Sequence, residues 1–388
     1  MYSPYKRSRS KLVKKVQRTT TDALASLWGV MLTPVALKEP TKPKAKPKAP
    51  QQTARSSKVG LKSKPVASKV QRKSQAKVVT PTTSLSRTIA PRGALFKTDI
   101  YACEHGKRTY KVYIPATAKT ANTPLPLMIM LHGCNQTPDD FARGTGMNIL
   151  AEEFGFLVVY PKQERKSQTN RCWNWYKPSD QARGAGEPAL TASLTRHIIS
   201  EYNVDPAKVY IAGLSAGAST ALITATAYPD VFAAVGAHSG LPVGAAYDAA
   251  SAMLAMRYGM PGRSHSVPLP TIIFHGDADK VVNVRNCRYI AARATEPYPH
   301  LRRTQRNGYT ASGKKYVRTS HRLGKGRSFI EQWVVEDAGH AWSGGSELGT
   351  YTNPNGPDAS REMVRFLMNH RTTKKWRNSF ENLDKEAT

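Results

Sequence analysis

Acidic side chains are scarce at the start of this chain. Residues 1–90 hold two, Asp22 and Glu39, against 21 Lys and Arg, whereas the other 298 residues hold 25 against 37. The net charge of +31 is therefore uneven, and the sequence divides into two parts of different chemistry. Cysteine is scarce too. The four present (Cys103, Cys134, Cys172, Cys287) show no C-x-x-C spacing and no accompanying histidine cluster, so no metal site and no cofactor are expected. No run of 18 apolar residues occurs, which excludes a membrane-spanning helix of ordinary length. The basic residues 1–18 followed by the mildly apolar Ala23 to Leu37 imitate a signal peptide. The basic start is too long for one, Pro34 interrupts the apolar stretch, and no A-x-A site ends it.

The division sets the expected domains. Residues 1–37 form a basic arm in which Leu12, Val16, Leu24, Leu27, Trp28, Met31 and Leu32 recur at helical spacing. Such an arm either docks weakly on the following domain or binds a surface. Residues 38–92, with KPKAKPKAP at 42–50, cannot bury a core and read as an extended linker. Residues 93–375 read as one α/β catalytic domain, and 376–388 as a tail.

Within 93–375, short apolar runs alternate with longer amphipathic ones, the pattern of a mostly parallel sheet flanked by helices. Strands are expected at Tyr110–Pro115 (an edge strand), Leu125–Leu131, Phe156–Tyr160, Val209–Ala212, Phe232–Ala237, Thr271–Phe274 and, last, Ser328–Val335. Helices are expected around Ile149–Phe154 and over Pro188–Tyr202, Ala218–Ala227 and Ala359–His370.

One turn carries chemistry. Gly213-Leu-Ser-Ala-Gly217 follows a β-branched strand and precedes an Ala-rich helix, the context in which G-x-S-x-G holds a nucleophilic serine on a sharp turn. A serine hydroxyl needs a base, and the base needs an orienting acid. In the α/β-hydrolase fold these follow the serine in the order acid, then histidine. Thr271–Phe274 runs into His275-Gly-Asp-Ala-Asp279, and the last strand runs into Asp337-Ala-Gly-His-Ala-Trp342. Ser215 is thus the expected nucleophile and His340 the base. Asp277 and Asp279 both remain open as the acid, with Asp279, followed by Val281-Val282, preferred. Asp277 would then cap backbone amides, the ordinary task of an aspartate in a loop. The oxyanion requires fixed donors, expected from the backbone N–H groups of Ala216 and Cys134, the latter on the His132-Gly-Cys-Asn-Gln136 loop. His275 reads as a packing residue at a strand end and His370 as solvated.

Together, His132-Gly-Cys-Asn-Gln136, Cys172-Trp-Asn-Trp175, Gly213-Leu-Ser-Ala-Gly217, His275-Gly-Asp-Ala-Asp279 and Gly339-His-Ala-Trp342 resemble the poly(3-hydroxybutyrate) depolymerase family of esterases, neighbours of feruloyl and acetylxylan esterases. The resemblance covers about residues 95–370. It implies hydrolysis of polyester or oligoester of short hydroxyacids, and a Cys134–Cys172 disulfide bracing the oxyanion loop. It also implies a substrate crevice at Trp342, Trp175 and Asn135, although Trp173, Trp175 and Trp342 would serve equally as core packing.

Three functions follow as expectations. The first is a polyhydroxybutyrate esterase, associated with intracellular granules in the cytoplasm or, alternatively, extracellular like members of the family. The second is a feruloyl- or acetylxylan-type carbohydrate esterase. The third, of another class, is a tether in which the basic tail holds nucleic acid, another polyanion or a granule surface by charge alone. The tail lacks interleaved aromatics, so base stacking is not part of that expectation.

Overall fold

In a computed structural model the chain is described over residues 92–298 and 300–380. The arm at 1–37, the linker but for its last residue, and the end of the tail lie outside the described residues.

The strands are β1 (Leu95–Cys103), β2 (Gly106–Ile114), β3 (Leu125–Leu131), β4 (Leu157–Pro161), β5 (Val204–Leu214), β6 (Ala234–His238), β7 (Thr271–Gly276), β8 (Arg302–Tyr309), β9 (Lys315–Arg322) and β10 (Ser328–Val335). They form one sheet in the order β1-β2-β4-β3-β5-β6-β7-β10-β9-β8. The six strands from β4 to β10 in that order run parallel, and antiparallel strands extend both edges. Two further two-residue strands, β11 (Trp342–Ser343) and β12 (Thr352–Asn353), pair beside the sheet.

Alternation along the central strands feeds two cores. Leu127, Ile129 and Leu131 of β3 and Val209 and Ile211 of β5 point to one face, with Met128, Met130, Tyr210, Ala212 and Leu214 on the other. The first face is covered by helices α3 (Gly186–Glu201), α4 (Ala216–Ala227), α5 (Ala249–Tyr258) and α6 (Arg285–Thr295). The second is covered by α1 (Pro138–Thr145), α2 (Met147–Phe154) and α7 (Ala359–Leu367). Helices on both faces of a parallel sheet make the α/β-hydrolase architecture expected from the sequence. The chain leaves β3 toward β4 on one side and returns to β5 on the other. The crevice where a ligand can enter such a sheet therefore opens at the carboxyl ends of β3 and β5.

Several local expectations are corrected. The strand at Tyr110–Pro115 is not an edge strand, because β1 pairs outside it. Ser328–Val335 is not the last strand, because two short strands follow it in the chain, and the unforeseen β8 and β9 lie beyond it in the sheet. Strand β8 is polar but for Tyr309, and β9 offers only the adjacent Tyr316 and Val317, so neither carries an apolar alternation to betray it. A five-residue helix α8 (Lys374–Asn378) stands where a tail was expected, and its Trp376 Nε1 donates to the Pro229 carbonyl at 2.8 Å. His370 is buried rather than solvated: it packs on Phe366 and Phe329, and Nε2 meets the Ser328 carbonyl at 3.0 Å. Burial lowers its pKa to about 4.

The antiparallel extension is tied to the second face by one buried carboxylate. Glu331 of β10 is fully buried and accepts from Arg318 of β9 at 2.9 Å, from Arg365 of α7 at 2.5 Å, and from the Ser328 hydroxyl. Burial works against its charge, but these three donors outweigh it and hold its pKa below the ordinary value. Such a carboxylate stabilises the fold above its unfolded pKa and loses that contribution as pH falls through the lower folded value. Glu331→Gln should therefore cost about 2–3 kcal/mol at neutral pH, the worth of hydrogen bonds to a charged group. Urea unfolding should show the gap between wild type and variant closing as the buffer is acidified below about pH 4. A gap that is independent of pH would mean that the charge contributes nothing.

Candidate active site

The turn after β5 is built by close packing. A Cβ on Gly217 would lie 2.2 Å from the Leu131 carbonyl oxygen and 2.5 Å from that of His132; one on Gly213 would lie 2.5 Å from the backbone of Gly217. Only glycine lets α4 start this close to the end of β3. Between them Ser215 sits at φ 57°, ψ −122°, a conformation that side chains other than glycine rarely adopt. Its N–H donates to the His238 carbonyl at 2.9 Å, and its hydroxyl stands at the amino end of α4.

Asp279 and His340 meet on the adjoining loops. His340 Nδ1 donates to Asp279 Oδ2 at 2.7 Å, and Asp279 Oδ1 accepts from the amides of Val281 and Val282 at 2.9 and 2.8 Å. Burial alone would raise the pKa of Asp279, but the facing imidazoles of His340 and His275 drive it well below the carboxylate range. With Nδ1 donating, His340 Nε2 carries a lone pair; it is buried and has no hydrogen-bond partner among the described residues. No hydrogen bond joins it to Ser215 in this structure. Asp277 instead accepts the Asp337 N–H at 2.7 Å, fastening the acid loop to the base loop, where Asp337 has φ 49°. Asp279 is thus the carboxylate brought to the imidazole, and Asp277 caps an amide.

Two more histidines attend this group. His275 is fully buried; its Nε2 donates to the Val282 carbonyl at 2.7 Å and lies 3.4 Å from Asp279 Oδ2. Burial opposes its charged form, yet hydrogen bonds to Asp279 and Cys287 outweigh that and push its pKa up to about 10. More than a packing residue, it contacts the acid. His238, which the sequence reading missed, accepts the Ser343 N–H at Nε2 (2.9 Å) and stacks between Phe274 and Trp342. Burial holds it neutral, with a pKa well below the ordinary value. It touches both the Ser215 turn and the loop that follows His340.

The loop after β3 faces this group. Cys134 and Cys172 form a disulfide with Cα atoms 4.3 Å apart, while Cys103 and Cys287 are free. Asn135 (φ 64°) is exposed, and its N–H donates to the Asn170 carbonyl at 2.7 Å. Gln136 accepts the Gly133 N–H at 2.8 Å and donates to Asp140 and to the Thr350 carbonyl. No hydrogen bond from the Cys134 N–H occurs among the described residues, and the Ala216 N–H opens a helix, where backbone donors lack intrahelical acceptors. Two unspent donors thus flank the serine turn. His132, at the start of this loop, has its pKa lowered to about 4 by burial and accepts the Gln163 N–H at 3.1 Å.

Behind the loop lies a buried polar network with no sequence signature. Glu187, at the start of α3, accepts from Asn174 N at 2.8 Å and Asn174 Nδ2 at 3.2 Å, and from Gln163 Nε2; Arg108 lies 3.8 Å away and over the Trp173 ring. Burial raises the pKa of Glu187 despite Arg108. This network fixes the segment that contains Cys172. Two crevice assignments are corrected by the packing. Trp342 is 1% exposed, stacks on His238, meets Phe141 edge-on and donates to Ser360 Oγ at 3.0 Å; Trp175 is 2% exposed against Tyr176. Both rings are core, and of the three only Asn135 is open to a ligand.

Residues 108–296 match the sequence family described as Esterase PHB depolymerase. That stretch is just under half of the chain. Poly(3-hydroxyalkanoate) depolymerase C of Paucimonas lemoignei is 30% identical over 244 residues, 58% of either chain. Poly(3-hydroxybutyrate) depolymerase of Ralstonia pickettii is 33% identical over 148 residues, 36% of this chain and 30% of that one. Feruloyl esterase B of Neurospora crassa is 32% identical over 143 residues, 37% and 48% of the two chains. This chain therefore spans between about a third and three fifths of those relatives. Among solved structures, acetyl xylan esterase from Aspergillus awamori superimposes with a TM-score of 0.53 over 70% of this chain and 98% of that one, at 19% identity, which shows a shared fold. The family match ends before His340, whose imidazole the structure sets on Asp279.

Asp279→Asn should abolish most activity on a p-nitrophenyl short-chain ester, by on the order of ten-thousand-fold, because an amide fixes the wrong tautomer. Asp277→Asn should cost under about tenfold; the reverse ranking in kcat would refute the assignment. Reducing the Cys134–Cys172 bridge should lower kcat more than it raises KM, since the freed loop carries the Cys134 N–H expected to meet the oxyanion. Equal rates in oxidised and reduced protein would leave the loop braced by packing alone.

Proposed function

We propose that this chain is a serine esterase that hydrolyses poly(3-hydroxybutyrate) or its oligomers through an acyl-enzyme. The observation that carries the reading is the pairing of a strained serine turn with a buried imidazole whose free nitrogen faces no other partner. The names of the relatives supply the substrate class.

In the proposed reaction Ser215 Oγ attacks the ester carbonyl and its proton passes to His340 Nε2. Asp279 stabilises the imidazolium so formed. Charge on the carbonyl oxygen is met by the N–H groups of Cys134 and Ala216. Collapse breaks the ester C–O bond, and the proton on His340 goes to the departing hydroxyl. Water, deprotonated by His340, then hydrolyses the acyl-serine and restores the enzyme.

A carbohydrate ester is the second reading, supported by the feruloyl and acetylxylan esterases among the relatives. We place the enzyme at polymer granules, with the tail at 1–90 as a tether; the Cys134–Cys172 bridge supports the extracellular alternative, since such bonds persist in oxidising compartments.

Ser215→Ala should leave the fold intact and reduce turnover by several orders of magnitude, with no further loss on adding His340→Ala. The wild type should release hydroxyacid from amorphous poly(3-hydroxybutyrate) faster than it cleaves feruloyl or acetyl-xylan esters. A higher rate on the carbohydrate esters would transfer the assignment to them, and retention of about a tenth of the rate by the serine variant would remove the mechanism.

A further inference from the structure

The outer strands β8 and β9 carry charge in an arrangement that the fold does not need. Residues 302–327 hold nine Lys and Arg and no Asp or Glu. Several of these are committed. Arg318 pairs with Glu331 and stacks on Trp333, Lys315 lies 3.5 Å from Glu336, Lys314 donates to the Asp337 carbonyl, Arg327 to that of Asn369, and Arg303 to Gln305. The side chains of Arg302, Arg306, Arg322 and Lys325 have no ion pair and no hydrogen bond among the described residues.

The uncommitted cations are sorted by the strand register. Arg302 faces Arg322 across the ladder and Arg306 faces Arg318, with Thr304 opposite Ser320 between them. Side chains alternate along a strand, so all four arginines share one face. The other face pairs Arg303 with His321 and Tyr309 with Lys315. Like charges directly opposite one another destabilise a sheet. Charge on an edge strand is a common guard against edge-to-edge pairing. That guard needs cations somewhere on the edge; it does not need them stacked in opposed pairs on one face. With Gly324 and Lys325 they line a groove of about 340 Å³ whose floor offers the Thr304 and Ser320 hydroxyl groups.

We propose that this groove is a nucleic-acid-binding surface, in which Arg302, Arg306, Arg322 and Lys325 hold consecutive phosphates of the backbone without reading base sequence. Guanidinium groups match phosphate oxygens in a two-pronged geometry, and hydroxyls supply neutral donors between them. Arg302 and Arg306 are four residues apart on one strand, about 13 Å, long enough to follow a chain of several phosphates. A bilayer surface fits less well: it presents a plane to a concave row, and an interfacial element needs an apolar face beside its cations. The proposal stands apart from the catalytic reading, since the arginine face involves none of the residues assigned to catalysis.

The test uses the full chain, so residues 1–90 are the same in every sample. Binding of a fluorescent mixed-sequence DNA duplex is measured by polarisation between about 50 and 200 mM KCl. The variant Arg302→Gln/Arg306→Gln/Arg322→Gln/Lys325→Gln should weaken binding at least about tenfold at the lower salt. It should also flatten the slope of log K against log salt by about 3 to 4, roughly one unit for each phosphate that is no longer neutralised. The control Arg257→Gln/Arg285→Gln/Arg288→Gln, on α5 and α6, should change the slope by less than about one. Hydrolysis of a soluble ester should be the same in all three proteins, which certifies folding; should the fourfold variant fail that check, Arg302→Glu alone is measured and should still weaken binding. An unchanged slope, or an equal loss in the control, overturns the proposal. So does binding to anionic phosphatidylglycerol vesicles that the fourfold variant loses while DNA binding persists.

Discussion

The contact between the glycines of the serine turn and the carboxyl end of β3 is the constraint from which the site follows. Gly213 and Gly217 bring α4 against the carbonyls of Leu131 and His132, closer than any side chain would permit. That approach fixes the backbone of Ser215 at a positive φ and sets its hydroxyl beside the loop that leaves β3. It also explains why the crevice lies between β3 and β5, where the order of strands reverses. The same backbone atoms that crowd the glycines hold the loop that carries Cys134.

Around this contact the protein surrounds the reacting groups with neutral imidazoles and fixed hydrogen bonds. His132 and His238 are kept uncharged by burial, and each accepts a backbone N–H. They act as rigid struts rather than as acids. The exceptions are His275, whose pKa is pushed up to about 10, and Asp279. The carboxylate carries a charge in a dry place because two amides and two imidazoles meet it. The carboxylate thus has no freedom to turn away, and the His340 ring inherits that rigidity. The disulfide and the Glu187 network do the same for the opposite wall, one by a covalent bond and one by hydrogen bonds that would be costly to leave unmade.

Outside the site, charge takes over from packing. At one edge the sheet grows by two antiparallel strands with few apolar residues, β9 and β8, and Glu331 adds to their ladder by binding Arg318 and Arg365 at once. A buried carboxylate thus ties this edge to the second face, and beyond it lie cations that no group among the described residues neutralises.

The order serine, acid, histidine and the strand positions before each of them were legible in the residues alone. Runs such as Leu125–Leu131 and Ser328–Val335 have the apolar pattern of buried strands, and G-x-S-x-G has few other uses in that setting. Local sequence could not show β8 and β9, because polar strands held by a distant ion pair have no period to read. Nor could it decide between Asp277 and Asp279, which differ by two positions and turn to different loops. Analogy of position puts Trp342 and Trp175 at the crevice, and only their neighbours, His238 and Tyr176, put them in the core. The kinds of residue and their order set the chemistry that is possible. Which carboxylate meets the imidazole, and which rings meet solvent, depend on distances between loops far apart in the chain, and those exist only once the sheet has brought the loops together.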